Sequence, residues 1–325
     1  MIKTYYYNYE DDSMYHDVDL HNCDQLLENP NSLLWIDLYE CSAEELHYIG
    51  KLFDFHPLAL EDCLQQSPRA KLDKYDDYYF FVFHALRYFE DAKEEDEITS
   101  IELDVFMGQN YLVTIHPVAL SAVGKIARIS LRETEVMNRN PEYLMYRIID
   151  NIVDDCFPII ERLGERIDDL EDNIFLSRGQ EITEEILALK RTVILLRKVL
   201  IPQRRIFSNI NGHYSFFVNE ENRPYYLDLV DNLDNILDTA NTYRDLVNSS
   251  TETYYSIING RTSEIITVLT MISIIMMPLT VITGFFGMNV PLPGADNPHY
   301  LWFISLSMIA VALGMVGFFR YRKWI

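Results

Sequence analysis

The sequence predicts an α+β domain, with a mixed sheet flanked by helices, followed by a long helical stalk and two C-terminal transmembrane helices. Three observations carry this. Strand-like and helix-like runs alternate up to about residue 116, and heptad-like apolar series dominate from Pro141 to Glu264. Two segments then follow, Ile265–Phe286 and Tyr300–Phe319, of 22 and 20 residues without one charged side chain.

In the first region, apolar, β-branched and aromatic runs read as strands at Ile2–Tyr7, Leu33–Leu38, Tyr79–Phe89, Ser100–Met107 and Tyr111–Ile115. Helical patterns fall near Ala43–Phe53 and Ala59–Gln65. The acidic run Glu90–Glu97 lies between two strand candidates and reads as a solvated hairpin loop.

Past Pro141 the spacing changes to threes and fours. Ile152, Cys156, Ile160, Leu163, Ile167, Leu170 and Ile174 form one series, with Pro158 expected to kink or break it. A second series, Ile182, Ile186, Leu189, Val193, Leu196 and Leu200, precedes a bend expected at Pro202. Both are seams that require another helix. The third helix opens at Arg223-Pro224, with proline suited to the first turn. Tyr226, Val230, Leu233, Leu237, Ala240, Val247, Tyr254 and Ile258 then run toward the first uncharged segment, interrupted at Arg244 and Thr251. Unbroken to Phe286, this helix would be on the order of 95 Å long. A seam of that length calls for partners beyond one chain.

Each uncharged segment is long enough to cross a hydrocarbon core of about 30 Å. Arg261 precedes the first, Arg320, Arg322 and Lys323 close the second, and Gly287–His299 between them holds neither Lys nor Arg. The positive-inside rule therefore places both termini in the cytoplasm and the short loop outside, in the cytoplasmic membrane. The opening MIKTYYYNYEDD has no apolar stretch of the kind a secretory signal needs.

The chain carries 50 Asp and Glu against 27 Lys and Arg, net −23, which disfavours nucleic-acid partners. Beyond Glu264 the only charged residues are Asp296, Arg320, Arg322 and Lys323, so residues 1–264 hold 49 acids and 24 bases, net −25. Cys23, Cys41, Cys63 and Cys156 are dispersed without a CxxC pair and read as buried small residues of a reducing compartment. GxxxxGK[ST], GxSxG and HExxH are all absent. The chain therefore reads as neither an enzyme nor a partner of a nucleotide-driven subunit.

Directly after the first span stands Gly287-Met288-Asn289, then a short loop, the second span and the ending RYRKWI. The block MMPLTVITGFFGMN resembles the MPLT…YGMN block of the CorA family of divalent-cation channels, with Phe286 in place of the usual Tyr. Upstream, LEDCLQQSPRAK (Leu60–Lys71), IIDNIVDDCF (Ile148–Phe157) and the LRK…P run (Leu196–Pro202) are similar to family segments, so the resemblance spans nearly the whole chain. It implies a homopentamer with a funnel-shaped cytoplasmic domain, its first membrane helices lining a central pore in the lipid bilayer. The implied division is an α/β domain over 1–140, long antiparallel funnel helices over 141–222 and a stalk over 223–264. Transmembrane helices at 265–286 and 300–319 flank an external loop at 287–299, and 320–325 form a basic cytoplasmic tail. The implied activity is uptake of Mg2+, with Co2+ and Ni2+ as further ions. The outer loop, Val290–His299, lacks the MPEL-type sequence of many magnesium members, and this keeps open a ZntB-like transporter of Zn2+.

Mg2+ sheds water reluctantly, and an asparagine carbonyl accepts hydrogen bonds from the ion's waters without adding a charge that would trap it. A ring of Asn289 at the outer mouth, with Gly287 turning the backbone and Met288 packing beneath, is the implied selectivity filter. Down the first span Thr280, Met277, Ser273, Leu269 (or Thr270) and Ile266 share one stripe that mixes hydroxyl and apolar groups. The resemblance makes Met277, Leu269 and Ile266 a constriction that gates by dewetting. In the second span Ala310 and Gly314 form a small-xxx-small pair. Arg320, Arg322 and Lys323 would ring the inner mouth.

The resemblance also implies regulatory Mg2+ between subunits, held by Asp62, with Glu61 beside it, facing Asp228 of the adjacent stalk and assisted by Asp154. Asn232 stands where the family often has a histidine, so a second such site is open. A membrane-anchored coiled-coil scaffold that transports nothing would also explain the stalk and anchor. It leaves Gly287-Met288-Asn289 and the hydroxyl stripe without a role.

Overall fold

The computed structural model describes residues 1–88, 98–176, 180–208, 217–288 and 299–322. The expected loop at Glu90–Glu97, Asn289 of the filter motif and Lys323 of the basic ring lie outside these residues. The chain divides into two units, Met1–Thr251 and Glu252–Ile325.

In the first unit, β1 (Ile2–Asn8), β2 (Ser13–His16), β3 (Ser32–Tyr39), β4 (Lys71–Lys74), β5 (Tyr79–Tyr88), β6 (Ile98–Met107) and β7 (Tyr111–His116) form one sheet. Its order is β2-β1-β3-β7-β6-β5-β4. Neighbours are antiparallel except β3 and β7, which run parallel with Trp35 opposite Leu112. The sheet is mixed, as the sequence predicts, and all five expected strands are present. β2 and β4 were not anticipated. Each is a four-residue edge strand with no fully buried position. Lys71 and Lys74 on β4 are what an edge carries to discourage further pairing.

Both faces of the sheet are covered. Leu34, Ile36, Val82, Phe106 and Val113 meet Leu46, Ile49, Phe55, Ala59 and Leu60, contributed by α2 (Ala43–Leu52), α3 (Pro57–Leu64) and the turn between them. α2 starts at a capping box, in which the Ser42 hydroxyl accepts from Glu45 N–H at 3.2 Å and the Glu45 carboxylate accepts from Ser42 N–H at 2.8 Å. α3 starts with Pro57 in its first turn and His56 Nδ1 accepting from Leu58 N–H at 3.2 Å. On the other face Phe83 stacks on Phe207 at 5.6 Å and Phe81 meets Phe217 edge-on at 5.2 Å.

Beyond the sheet come α4 (Ser121–Ser130), α5 (Pro141–Asp154), α6 (Phe157–Leu176), α7 (Gln180–Ser208) and α8 (Arg223–Phe286). The first heptad-like series is therefore divided between α5 and α6. The break falls just ahead of Pro158, which occupies the first turn of α6. α7 runs through Pro202 without a break, and α8 is continuous over 64 residues. Nothing in the secondary structure marks the expected boundary between Glu264 and Ile265, which is one of composition alone.

The α8 seam differs from expectation in what covers it. Tyr226, Leu229, Leu233, Ile236, Ala240 and Val247 are buried within the chain itself. Tyr226 lies against Tyr146 of α5 at 5.8 Å and Phe207 of α7 at 5.7 Å, and its hydroxyl donates to Glu142 O at 2.8 Å. Arg204 grips Asp234, and Arg197 donates to Asn241. Gly164 of α6 lies so close to α8 that a Cβ there would stand 2.4 Å from the Tyr243 hydroxyl. The upper seam thus finds its partner in α5–α7 and does not by itself demand a second copy. Tyr226 is fully buried, so Tyr226→Ala is expected to destabilise this unit by about 3–5 kcal/mol through the cavity it leaves. A thermal melt unchanged from the parent would contradict that packing.

In the second unit, the remainder of α8 and α9 (Tyr300–Tyr321) are both long and apolar enough to cross a membrane, with mean hydropathies of 2.5 and 2.1 over their most apolar windows.

Candidate functional site

The end of α8 is closed by Gly287 N–H donating to Thr283 O at 2.8 Å, with Met288 N–H reaching Phe285 O at 3.4 Å. A Cβ on Gly287 would stand 2.8 Å from Thr283 O, so the glycine is required by a close backbone approach and not by a left-handed φ. Met288 is exposed.

Ile266, Leu269, Ser273, Met277 and Thr280 follow each other at steps of three and four along one side of α8, and all five are exposed, Met277 by 71 %. The opposite side holds Met271, only 7 % exposed, with Ile275, Leu279, Ile282 and Phe286 half-buried above it. At 3.6 residues per turn these are two separate stripes. In α9 the screened positions are Met308, Val311, Ala312, Met315 and Phe319. Ala310 and Gly314 lie on its open side. The expected pore stripe is therefore the face of α8 left open within the chain.

The stripe's hydroxyls are partly spent. Ser273 Oγ donates to Leu269 O and Thr280 Oγ1 to Met276 O, both at 2.9 Å, while Thr270 Oγ1 donates to Ile266 O at 2.7 Å. Each hydroxyl oxygen still has acceptor capacity, which is what the waters of a hydrated cation need. Arg320 and Arg322 are exposed at the end of α9, with the Arg322 guanidinium 6.0 Å from the Phe318 ring centre.

The expected regulatory acids lie on three helices. Glu61 and Asp62 belong to α3. Glu61 accepts from Gln65 Nε2 at 3.1 Å, and Asp62 is paired with Lys71 Nζ at 2.5 Å, a nitrogen that also lies 2.8 Å from Asp73. Asp154 ends α5 and Asp228 occupies the second turn of α8, both exposed. Asp150, one turn before Asp154, was not anticipated. Burial and then the neighbouring Asp154 carboxylate push its carboxyl above the ordinary range, with Asp228 adding to the rise and Arg147 opposing it. The structure thus draws Asp150, Asp154 and Asp228 into one electrostatic neighbourhood. Among the described residues no group of three His, Cys, Asp or Glu side chains is gathered for a metal within one chain.

A mixed α/β unit and a long helix that continues into the first of two membrane-length apolar helices define a two-span membrane protein with a large polar portion. The chain belongs to the CorA-like Mg2+ transporter protein family, whose model matches residues 30–322. It is 30 % identical over 283 residues to the cobalt/magnesium transport protein CorA of Thermotoga maritima, covering 85 % of this chain and 79 % of that one. The complete structure of the CorA magnesium transporter from Methanocaldococcus jannaschii superposes with a TM-score of 0.84 at 25 % identity, covering 100 % of this chain and 99 % of that one. The zinc transport protein ZntB of Pectobacterium carotovorum is 27 % identical over 183 residues, covering 55 % of this chain and 54 % of that one.

Proposed function

We propose that this protein is a homopentameric, channel-type importer of divalent cations in the cytoplasmic membrane, carrying Mg2+ first and also Co2+ and Ni2+. One observation carries the reading. The stripe Ile266–Leu269–Ser273–Met277–Thr280 is the open face of α8, and it leads up to Gly287-Met288 and the Asn289 that follows. Five such faces around an axis would enclose a narrow path that alternates hydroxyl and apolar groups, capped by a ring of asparagines. The names of the Thermotoga and Methanocaldococcus relatives support Mg2+ and Co2+, and the shorter ZntB match leaves Zn2+ with less support.

Energy for uptake needs no nucleotide. A dication falling through about 100 mV, cytoplasm negative, gains about 4.6 kcal/mol, twice the charge-one value. Both termini lie in the cytoplasm on this reading, with Arg320, Arg322 and Lys323 at the inner mouth and the acidic domain concentrating cations there. Liposomes carrying the purified chain should take up Mg2+, Co2+ and Ni2+ in response to potential, without a proton gradient. Uptake confined to Zn2+ and dependent on a proton gradient would favour the zinc reading, and no flux of any dication would favour the scaffold.

Assembly is tested independently. Five open α8 faces must meet for a path to exist, so native mass spectrometry of detergent-purified protein should give five times 38.2 kDa. A stable monomer or dimer would refute the central pore.

A further inference from the structure

The first unit contains a second set of carboxylates that the transport reading does not use. Glu102 and Asp104 stand two apart on β6, so their side chains share one face of the sheet. They are only 6 % and 3 % exposed. Both wall a cavity of about 270 Å³, together with Glu40, Cys41, Cys63 and His116. Glu102 Oε1 and Asp104 Oδ1 are fully enclosed and have no hydrogen-bond partner.

The rest of the cavity wall does not neutralise them. Ser67 N–H donates to the other oxygen of Glu102 at 2.7 Å, which orients that carboxylate. The Cys63 thiol touches Asp104 and donates to Ala59 O at 3.2 Å. Both ring nitrogens of His116 are committed, Nδ1 to Val118 O at 2.6 Å and Nε2 to Asp37 at 3.1 Å. The nearby base, Lys71, is spent on Asp62 and Asp73. Two buried carboxylates facing open space with no counter-ion must take up either a proton or a cation.

We propose that Glu102 and Asp104 hold a largely hydrated Mg2+ ion within a single chain, separate from the pore and from the acids between subunits. The two carboxyl groups are in hydrogen-bonding contact with each other. Adjacent ligands of an octahedral Mg2+ at about 2.1 Å are about 3.0 Å apart, so the ion can replace a shared proton with little movement. Mg2+ commonly takes one or two carboxylates and keeps its remaining waters. Four waters at about 30 Å³ each fill about 120 Å³, less than half of the cavity. Such a site needs two protein ligands and not three, in keeping with the absence of a preformed three-ligand cluster among the described residues. The buried thiols, which the acids hold in their protonated form, remain bystanders.

The test is amide hydrogen exchange on the full chain in detergent, with Mg2+ as the only added ligand. Mg2+ at ten times its Kd should lower local opening of residues 98–107 by about 11-fold. The effect should persist in Asp62→Asn/Asp228→Asn, which removes the acids proposed between subunits, and vanish in Glu102→Gln/Asp104→Asn. That pair is neutral and nearly isosteric, so it mimics the doubly protonated site. Should it not fold, Asp104→Asn alone is expected to weaken the response. Exchange over 98–107 that ignores Mg2+ in the unaltered chain would show that the carboxyls share a proton instead. Protection that survives Glu102→Gln/Asp104→Asn would place the ion elsewhere. Either result overturns the proposal.

Discussion

Asn289→Ala is expected to abolish Mg2+ uptake while leaving folding and assembly intact. In the proposed pore the asparagine ring is the first group to touch the hydrated ion, and it does so through neutral carbonyl acceptors. A hydrogen bond to a charged species contributes about 1.5–3 kcal/mol, and the substitution removes five of them at one level of the pore. The cation would then have to enter a mouth that offers its waters nothing in place of bulk solvent. Because the side chain follows the end of α8, beyond the closing bond from Gly287 to Thr283, its loss disturbs no helix contact. The measurement is Mg2+ flux into liposomes with pentamer content verified on the same sample. Normal flux through a correctly assembled Asn289→Ala protein would remove Asn289 from the filter. Gly287→Ala should also impair uptake, but by a different route. Its methyl would collide with Thr283 O, so that variant is expected to perturb the helix end and not the chemistry of the mouth.

What was legible in the sequence follows from what each pattern reports. The two spans were readable because lack of charge over 20 residues has few other causes. The seams of α6, α7 and α8 were readable because three-four spacing encodes one buried face, and those residues are buried. Spacing does not say what buries a face, and so the upper α8 seam, which packs on its own chain, looked like a call for other copies. β2 and β4 carry no pattern to read, being short edges with both sides partly wet. α4 has buried positions at helical spacing, Ala122, Val123, Ile126 and Ala127, but starts at Leu120 without a side-chain cap to mark its beginning. The sequence Ile101-Glu102-Leu103-Asp104-Val105 alternates as a half-exposed strand should, which assigns both acids to solvent. The structure buries them, because the side of the sheet they share also carries α2 and α3, a tertiary fact absent from local alternation. Asp150 was within reach. It stands one helical turn before Asp154, and the two carboxylates share a face.

The second large effect concerns closure by internal Mg2+. Residues 1–264 carry a net charge of −25, and five copies cannot approach without cations between them. Two unit charges 4 Å apart interact by about 4 kcal/mol at an effective dielectric of 20, and a bridging dication turns that repulsion into attraction. The chain alone gathers Asp150, Asp154 and Asp228, and the elevated carboxyl of Asp150 reports that their mutual repulsion is uncompensated there. Asp62 is different, because Lys71 already neutralises it at 2.5 Å. If Asp62 of one subunit meets Asp228 of the next, Mg2+ must compete with Lys71 for the Asp62 carboxylate. That competition would set a weak affinity, as a sensor of abundant cytoplasmic Mg2+ requires. Asp62→Asn/Asp228→Asn should therefore conduct normally and lose much of its closure by internal Mg2+. Lys71→Ala should do the opposite, closing at lower Mg2+ because the bridging carboxylate has been freed. Patch recordings with stepped internal Mg2+ read both shifts in one experiment. Unchanged inhibition in the double variant would rule out Asp62 and Asp228 as the sensor. Unchanged inhibition in Lys71→Ala alone would keep the acids and discard the competition.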